Sequence, residues 1–241
     1  MVLQVVEAGD GAPLVLLVHG VIDRGRSFAR VMELLAGECT VCTYDRRGYG
    51  DASGPGIEAD VAAHVADILT VLDGRRAVVV GHSFGGVSVL GAAVQAPELV
   101  DAVVLYETAI AWAPGWDDVA MRTVLAAEDP VDAGLRLMLG DRVDTFAPER
   151  VERWRQLGAA FVAEERSVRV GPPPFDLRAV RAPVVYGAGM AEIVRPVVAH
   201  LDACVPHLEV VDFPGVGHNA HLEAPEQFAA MVRRGIALAR R

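Results

Sequence analysis

The sequence predicts an α/β fold: a mostly parallel sheet flanked by helices, with a small helical cap inserted between the fourth and fifth clear strands. Three observations predict it. Short β-branched apolar runs alternate with longer amphipathic segments, as strands buried on both faces alternate with the helices that cover them. One of those runs passes through a glycine-bracketed turn straight into a helical stretch. Between about Ile110 and Arg181 the rhythm breaks, and helical periodicity continues without a convincing strand.

In chain order, Val2–Glu7 offers an edge strand, followed by apolar runs at Leu14–Val18 and Thr40–Tyr44 with a helical pattern at Ser27–Ala36 between them. Ile57–Leu72 reads as a helix, Ala77–Val80 as a buried strand, Phe84–Gln95 as the next helix, stopped by Pro97, and Ala102–Tyr106 as a further strand. Asp117–Leu139 and Pro148–Arg166 then carry the helical period, and Gly171-Pro172-Pro173-Pro174 imposes an extended return. Pro183–Tyr186 and Glu209–Phe213 complete the strands, with helical segments at Ile193–Leu201 and Glu223–Ala239. The expected division is therefore a core of residues 1–109 and 182–241 and a helical cap of residues 110–181.

Composition narrows the function classes. Hydrophobic residues make up 52% of 241, enough for a sizeable buried core. With 22 basic and 32 acidic side chains the net charge is −10, which argues against nucleic acid and anionic membrane as partners and says little about a small-molecule substrate. Three scattered cysteines make no disulfide framework, and Cys39 and Cys42 lie in a strand-like run rather than at the turn a redox pair needs. The N-terminal segment has no basic start followed by an apolar run, and no run approaches the roughly 20 residues of a membrane helix, so a cytoplasmic location is expected. No cofactor is expected, and no His, Cys or carboxylate spacing suits a bound metal.

The strongest local signal is Val78-Val79-Val80-Gly81-His82-Ser83-Phe84-Gly85-Gly86. A strand running into G-x-S-x-G and then a helix places a serine on a strained turn, with its hydroxyl clear of the sheet. The helix that follows aims its first amides at the same point, where a developing oxyanion would be stabilised. A phosphate-binding turn with an incidental serine is the plain alternative, but the glycine spacing fits neither G-x-G-x-x-G nor the P-loop.

With these residues the chain resembles the α/β-hydrolase family. His19-Gly20-Val21 after the first long strand looks like that family's H-G loop, and Asp45-Arg46-Arg47-Gly48-Tyr49-Gly50 is similar to its D-x-R-G-x-G segment. Gly217-His218 follows the last strand, where the family carries its base. The resemblance implies Ser83 as nucleophile, His218 as general base, and the backbone amides of Val21 and Phe84 as oxyanion donors. His221 reads as a packing or capping residue, His82 as shaping the elbow, and His19 as stabilising its own loop.

The acid departs from the pattern. The family usually places an aspartate after the strand that follows the cap, and Met190 stands there. Glu107, directly after Val104-Leu105-Tyr106, is preferred, because a carboxylate at that strand end shares the rim with Ser83. Haloalkane dehalogenases, among other members of the family, use an acid at that location. Glu192 is the alternative if the loop is two residues longer, although it also suits the start of a helix.

The expected activity is cleavage of a small-molecule ester or thioester through an acyl-Ser83 intermediate. The same residues would serve a carbon–carbon hydrolase, a lyase or an acyltransferase, since one fold hosts many reactions. A receptor-like protein with weak turnover is the alternative from another class, kept open by the displaced acid. Of the weaker signals, Asp23–Ser27 reads as a solvated loop with Ser27 as a helix cap, and Trp112, Trp116, Trp154 and Phe161 read as packing before pocket lining.

Overall fold

The apolar runs become the strands of one sheet, described in this computed structural model for residues 3–54, 57 and 59–240, with the side chains of Met138, Leu139, Arg153 and Ala191 left aside. In chain order the strands are β1 (Val5–Ala8), β2 (Leu14–Val18), β3 (Thr40–Tyr44), β4 (Ala77–His82), β5 (Val100–Tyr106), β6 (Val184–Ala188) and β7 (Leu208–Asp212). Their spatial order is β1-β3-β2-β4-β5-β6-β7. Only β1 runs antiparallel, against β3; every other neighbouring pair is parallel. All residues of β2 and β4 are buried, which is why both are apolar without alternation. Val2 of the expected edge strand lies outside the described residues.

The helices in chain order are α1 (Ala29–Leu35), α2 (Val61–Leu72), α3 (Phe84–Gln95), α4 (Val119–Ala126), α5 (Pro130–Leu139), α6 (Pro148–Gln156), α7 (Gly158–Ser167), α8 (Ala191–Cys204), α9 (Ala220–Glu223) and α10 (Pro225–Ala239). Helices α2, α3 and α8 cover one face of the sheet through a core that includes Val65, Ile68, Leu90, Val197 and Leu201. Helices α1 and α10 cover the other through Val31, Leu35, Phe228 and Val232. Among the described residues no helix is long and apolar enough to cross a membrane.

Between β5 and β6 the described chain forms helices α4–α7 and short 3₁₀ turns. The two long helical stretches expected there are each split. Asp129 accepts from the amides of Val131 and Asp132 at 3.1 and 3.0 Å, and with Pro130 in the first turn it starts α5 afresh. Gly158 begins α7 where the backbone presses on Val131; a Cβ there would lie 2.1 Å from that side chain. A helical period persists across such breaks, so periodicity alone does not reveal them. The helix expected from Ile57 starts at Val61, capped by Asp60, whose side chain accepts from Ala63 N at 2.8 Å; Glu58 lies outside the described residues. The last helix is preceded by the separate turn α9.

Strand order reverses between β2 and β4: the chain leaves β2 for β3 on one side, and continues from β4 to β5, β6 and β7 on the other. A crevice opens outside the carboxyl ends of two strands that part in this way. The loop after β2 begins at His19, and β4 ends at His82.

Candidate active site

Ser83 follows β4 with φ 52° and ψ −126°, and α3 begins at the next residue. A non-glycine residue in that region is strained by roughly 1–3 kcal/mol, so the surroundings must hold it there. They do so by close backbone approach. A Cβ on Gly81 would fall 2.4 Å from Gly86 Cα, and one on Gly85 would fall 2.4 Å from the Val18 carbonyl. Ser83 N donates to the Tyr106 carbonyl at 2.9 Å, and Gly86 N donates to the Ser83 carbonyl at 2.9 Å. Phe84 heads the helix, and the amides of a first helical turn have no intrahelical acceptor. On the β2 side, a Cβ on Gly20 would lie 3.0 Å from Ser83 Cβ, so the Gly20–Val21 loop rests directly against the serine.

His218 lies on the loop between β7 and α9, and its ring centroid is 4.8 Å from that of His82, the neighbour of Ser83. Its Nδ1 faces Glu107 Oε2 at 3.8 Å, which is beyond hydrogen-bond length. Catalytic hydrogen bonds are often this long before substrate binds. Glu107 leaves β5 at φ 48° and is buried. Its Oε1 accepts from the amides of Gly189 and Met190 at 2.7 and 2.8 Å, which orients Oε2 toward the imidazole. Glu192 is placed differently: its side chain is 82% exposed at the start of α8 and pairs with Arg195. Ser83, His218, Glu107, the loop carrying Val21 and the start of α3 at Phe84 thus converge, and Glu192 stays outside.

The His218 loop is held by groups that sequence reasoning passed over. Tyr106 Oη donates to the Gly217 carbonyl at 2.7 Å, and Gly217 N donates to Glu223 Oε2 at 3.0 Å. His82 Nε2 lies 2.8 Å from the His218 carbonyl, which can only accept, so the proton is on Nε2. Tyr106 and Glu107 are adjacent in sequence, and a strand end turned at positive φ lets both serve the same histidine. Nothing in the sequence marks Tyr106 apart from the other core aromatics.

His221 is buried, with Nε2 3.3 Å from Asp23 Oδ2. Asp23, His82 and His221 offer ligand atoms within 4.8 Å of one another, the arrangement among the described residues best suited to a metal ion. The approach of His221 to Asp23 is a close polar contact and not a hydrogen bond, since neither ring nitrogen of His221 meets hydrogen-bond geometry. Burial resists ionisation of Asp23, yet His221 and the neighbouring histidines outweigh it and hold the carboxyl well below its usual range. Burial and the rings of His221 and His218 push His82 well below the ordinary imidazole value.

The remaining candidates resolve into structure. Arg24 donates to Asp45 through Nε and Nη2 at 3.1 and 2.7 Å. Ser27 lies inside the 3₁₀ turn Gly25–Phe28 rather than capping a helix. Of the aromatics between β5 and β6, Trp112 meets Phe175 and packs with Trp116 against the core, Trp154 meets Phe146, and Phe161 is fully buried. Cys39 and Cys42 are buried free thiols, and burial pushes the Cys42 thiol up to about 12. An open groove of about 740 Å³ lined by Asp132, Arg136, Glu152 and Arg155 lies on the inserted helices, and no site residue borders it.

A sequence profile of the alpha/beta hydrolase family matches residues 15–231. The chain belongs to that family. An uncharacterized protein of Mycobacterium tuberculosis is 40% identical over 101 residues, 41% of this chain and 29% of that protein, so the chain spans less than a third of that relative. The 2-(acetamidomethylene)succinate hydrolase of Mesorhizobium japonicum is 29% identical over 252 residues, 93% of this chain and 87% of the relative. Among solved structures, a putative epoxide hydrolase from Pseudomonas aeruginosa superposes with a TM-score of 0.78 at 23% identity, covering 99% of this chain and 92% of that one, a likeness of fold alone.

Proposed function

We propose that this member of the alpha/beta hydrolase family is a serine hydrolase that cleaves an ester or thioester of a small molecule through an acyl-Ser83 intermediate. The observation that carries the reading is the backbone of Ser83. A serine is held at φ 52° between β4 and α3, although glycine would sit there without strain. Strain of that kind persists where it aims a side chain at a task.

The placement of the groups supports the following roles. Ser83 Oγ attacks the substrate carbonyl as the imidazole of His218 accepts its proton. Glu107 stabilises the imidazolium and fixes the ring with its proton on Nδ1. The carbonyl oxygen becomes an oxyanion and takes hydrogen bonds from the amides of Val21 and Phe84. His218 then returns the proton to the leaving alcohol or thiol, leaving an acyl-serine. Water attacks that ester with His218 again as base, releasing the acid and restoring the serine hydroxyl. No step requires a cofactor. Residues 110–181 would form the cap over this site and the rest of the chain its core. The name of the Mesorhizobium relative, a hydrolase of a small dicarboxylate, is in keeping with a small-molecule substrate.

The test is intact mass after fluorophosphonate treatment. A single adduct on the wild type that is missing from Ser83→Ala is the expected result and leads on to a screen of esters and thioesters. A folded wild type that takes up no adduct, with ligand binding showing the site open, would replace this reading with the receptor-like one.

A further inference from the structure

Arg46, from the loop after β3, is completely buried, and so are its partners Glu164, His64 and Tyr49. Arg46 Nη1 donates to Glu164 Oε1 at 2.6 Å, across 118 residues of sequence. Glu164 Oε2 accepts from Tyr49 Oη at 2.6 Å, and Oε1 lies 2.7 Å from His64 Nε2. Glu164 belongs to α7, so this cluster ties the inserted helices to the core. Burial opposes ionisation of Glu164, but Arg46 and His64 outweigh it and keep its carboxyl below the usual range.

A buried ion pair is poor evidence for stability alone, because apolar residues of similar volume often serve as well. The second hand of Arg46 suggests another use. Its Nη2 donates to the Gly20 carbonyl at 2.9 Å, and His19 Nδ1 lies 2.8 Å from the same oxygen. His19 is locked in that tautomer, because its Nε2 accepts from the backbone amide of Arg46 at 2.9 Å. Two donors, one of them cationic, therefore converge on one carbonyl. The Gly20 carbonyl and the Val21 N–H belong to one planar trans peptide and point in opposite directions. Holding the oxygen aims the N–H, and polarising the carbonyl strengthens that N–H as a donor. The Cα side of Gly20 is already pressed against Ser83.

We propose that the buried Arg46–Glu164 pair positions the oxyanion hole: Glu164, reaching down from α7, holds the Arg46 fork, and the fork sets the Gly20–Val21 peptide so that its N–H faces the reacting carbonyl. Arg46 and Glu164 are positioning residues. Neither needs to touch substrate, and the hole is complete only while α7 is docked. The catalytic half of the proposal rests on the serine-hydrolase reading above; the half concerning the peptide plane does not.

The test uses Arg46→Lys, which keeps the charge and loses the fork, and Glu164→Gln, which keeps the shape and loses the charge. Each is compared with wild type by kcat and KM on an ester the wild type turns over. Each is also compared by the ¹⁵N–¹H resonance of Val21 in valine-labelled protein, identified by its loss in Val21→Ile. The expected result is a drop in kcat of about 10- to 100-fold with KM within about twofold, the signature of an interaction made only in the transition state. The Val21 resonance should shift in both variants. Folded variants with lowered Tm but unchanged kcat and an unmoved Val21 resonance would reduce the pair to a clamp between α7 and the core and overturn the proposal. A wild type inert toward esters and fluorophosphonate overturns the serine-hydrolase reading and the catalytic half with it. The Val21 resonance still decides whether the pair sets the peptide.

Discussion

Met190 occupies the position where the family resemblance leads one to look for the acid, and its backbone amide donates to the Glu107 carboxylate at 2.8 Å. Gly189 donates to the same oxygen at 2.7 Å. The loop that lacks a carboxylate of its own thus serves as a socket for one delivered from β5. Only backbone is needed for that, so the side chain at 190 is free to be apolar, and it is partly exposed.

This geometry separates the two glutamates by activity. Glu107→Gln keeps the shape but removes the charge that would stabilise His218 as a cation, and turnover should fall by roughly 10²- to 10⁴-fold, with the fold intact. Glu192→Gln removes a solvent-exposed ion pair with Arg195, and turnover should stay within about twofold. Steady-state kinetics with circular dichroism on both variants provides the check. Equal turnover of Glu107→Gln and wild type would remove Glu107 from the mechanism.

Strain at Ser83 gives a prediction of opposite sign for stability and activity. Glycine adopts φ 52° and ψ −126° readily, so Ser83→Gly should relieve strain and stabilise the protein by about 1 kcal/mol, net of glycine's greater freedom in the unfolded chain. Turnover and the fluorophosphonate adduct should both vanish. Urea unfolding measures the first, intact mass the second. A destabilised Ser83→Gly would show that the serine side chain makes contacts worth more than the strain.

Tyr106→Phe tests the support of the His218 loop. The ring stays packed, and only the hydroxyl held by the Gly217 carbonyl at 2.7 Å is lost. A loss of about 0.5–1.5 kcal/mol in stability is expected, with kcat reduced more than KM is changed. An unaltered kcat would mean that His82 and Glu223 hold the loop unaided.

Acid should unfold this protein earlier than its carboxylates alone would require. His19 is fully buried, and burial with the Arg46 charge lowers its pKa from 6.5 to about 4, while His82 is lowered in the same direction. Unfolded, both rings take up protons near pH 6.5; folded, they do not until far lower. The unfolded state therefore binds more protons in that window, and stability present above pH 6.5 is lost as pH falls toward 4, on the order of 3 kcal/mol for His19. Glu165 acts the other way. Burial raises its carboxyl from 4.5 to about 7 against the pull of Arg169, so its contribution is lost as pH rises across that range. Two histidines outweigh one carboxyl, and Tm should fall on acidification. In Glu165→Gln the opposing contribution is gone, and the fall should be steeper. Thermal melts between pH 4.5 and 7.5 on both proteins provide the check; parallel curves would contradict the Glu165 assignment.

Along the chain, what was legible is what local chemistry dictates. Leu14–Val18 and Thr40–Tyr44 are strands over the residues their apolar, β-branched character predicts, because a run buried on both faces leaves its signature in every position. The turn at Ser83 was legible for the same reason. Gly81 is demanded by the approach of Gly86 a few residues on, so that requirement is written next to the serine itself, while Gly85 answers to the Val18 carbonyl far back in the chain. The breaks within the inserted helices were not legible, since a helical period continues across a cap or a close contact. Contacts made at long range were beyond reach as well. Glu107 and Glu192 are both carboxylates near strand ends, and only the pairing of β5 with β6 lays the Gly189–Met190 amides against one of them. Arg46 stood in a readable motif, but its partner Glu164 lies 118 residues away on a helix whose polar residues all look alike in one dimension. Local propensity is a property of neighbours in sequence; which buried charge meets which is settled by how the helices dock on the sheet.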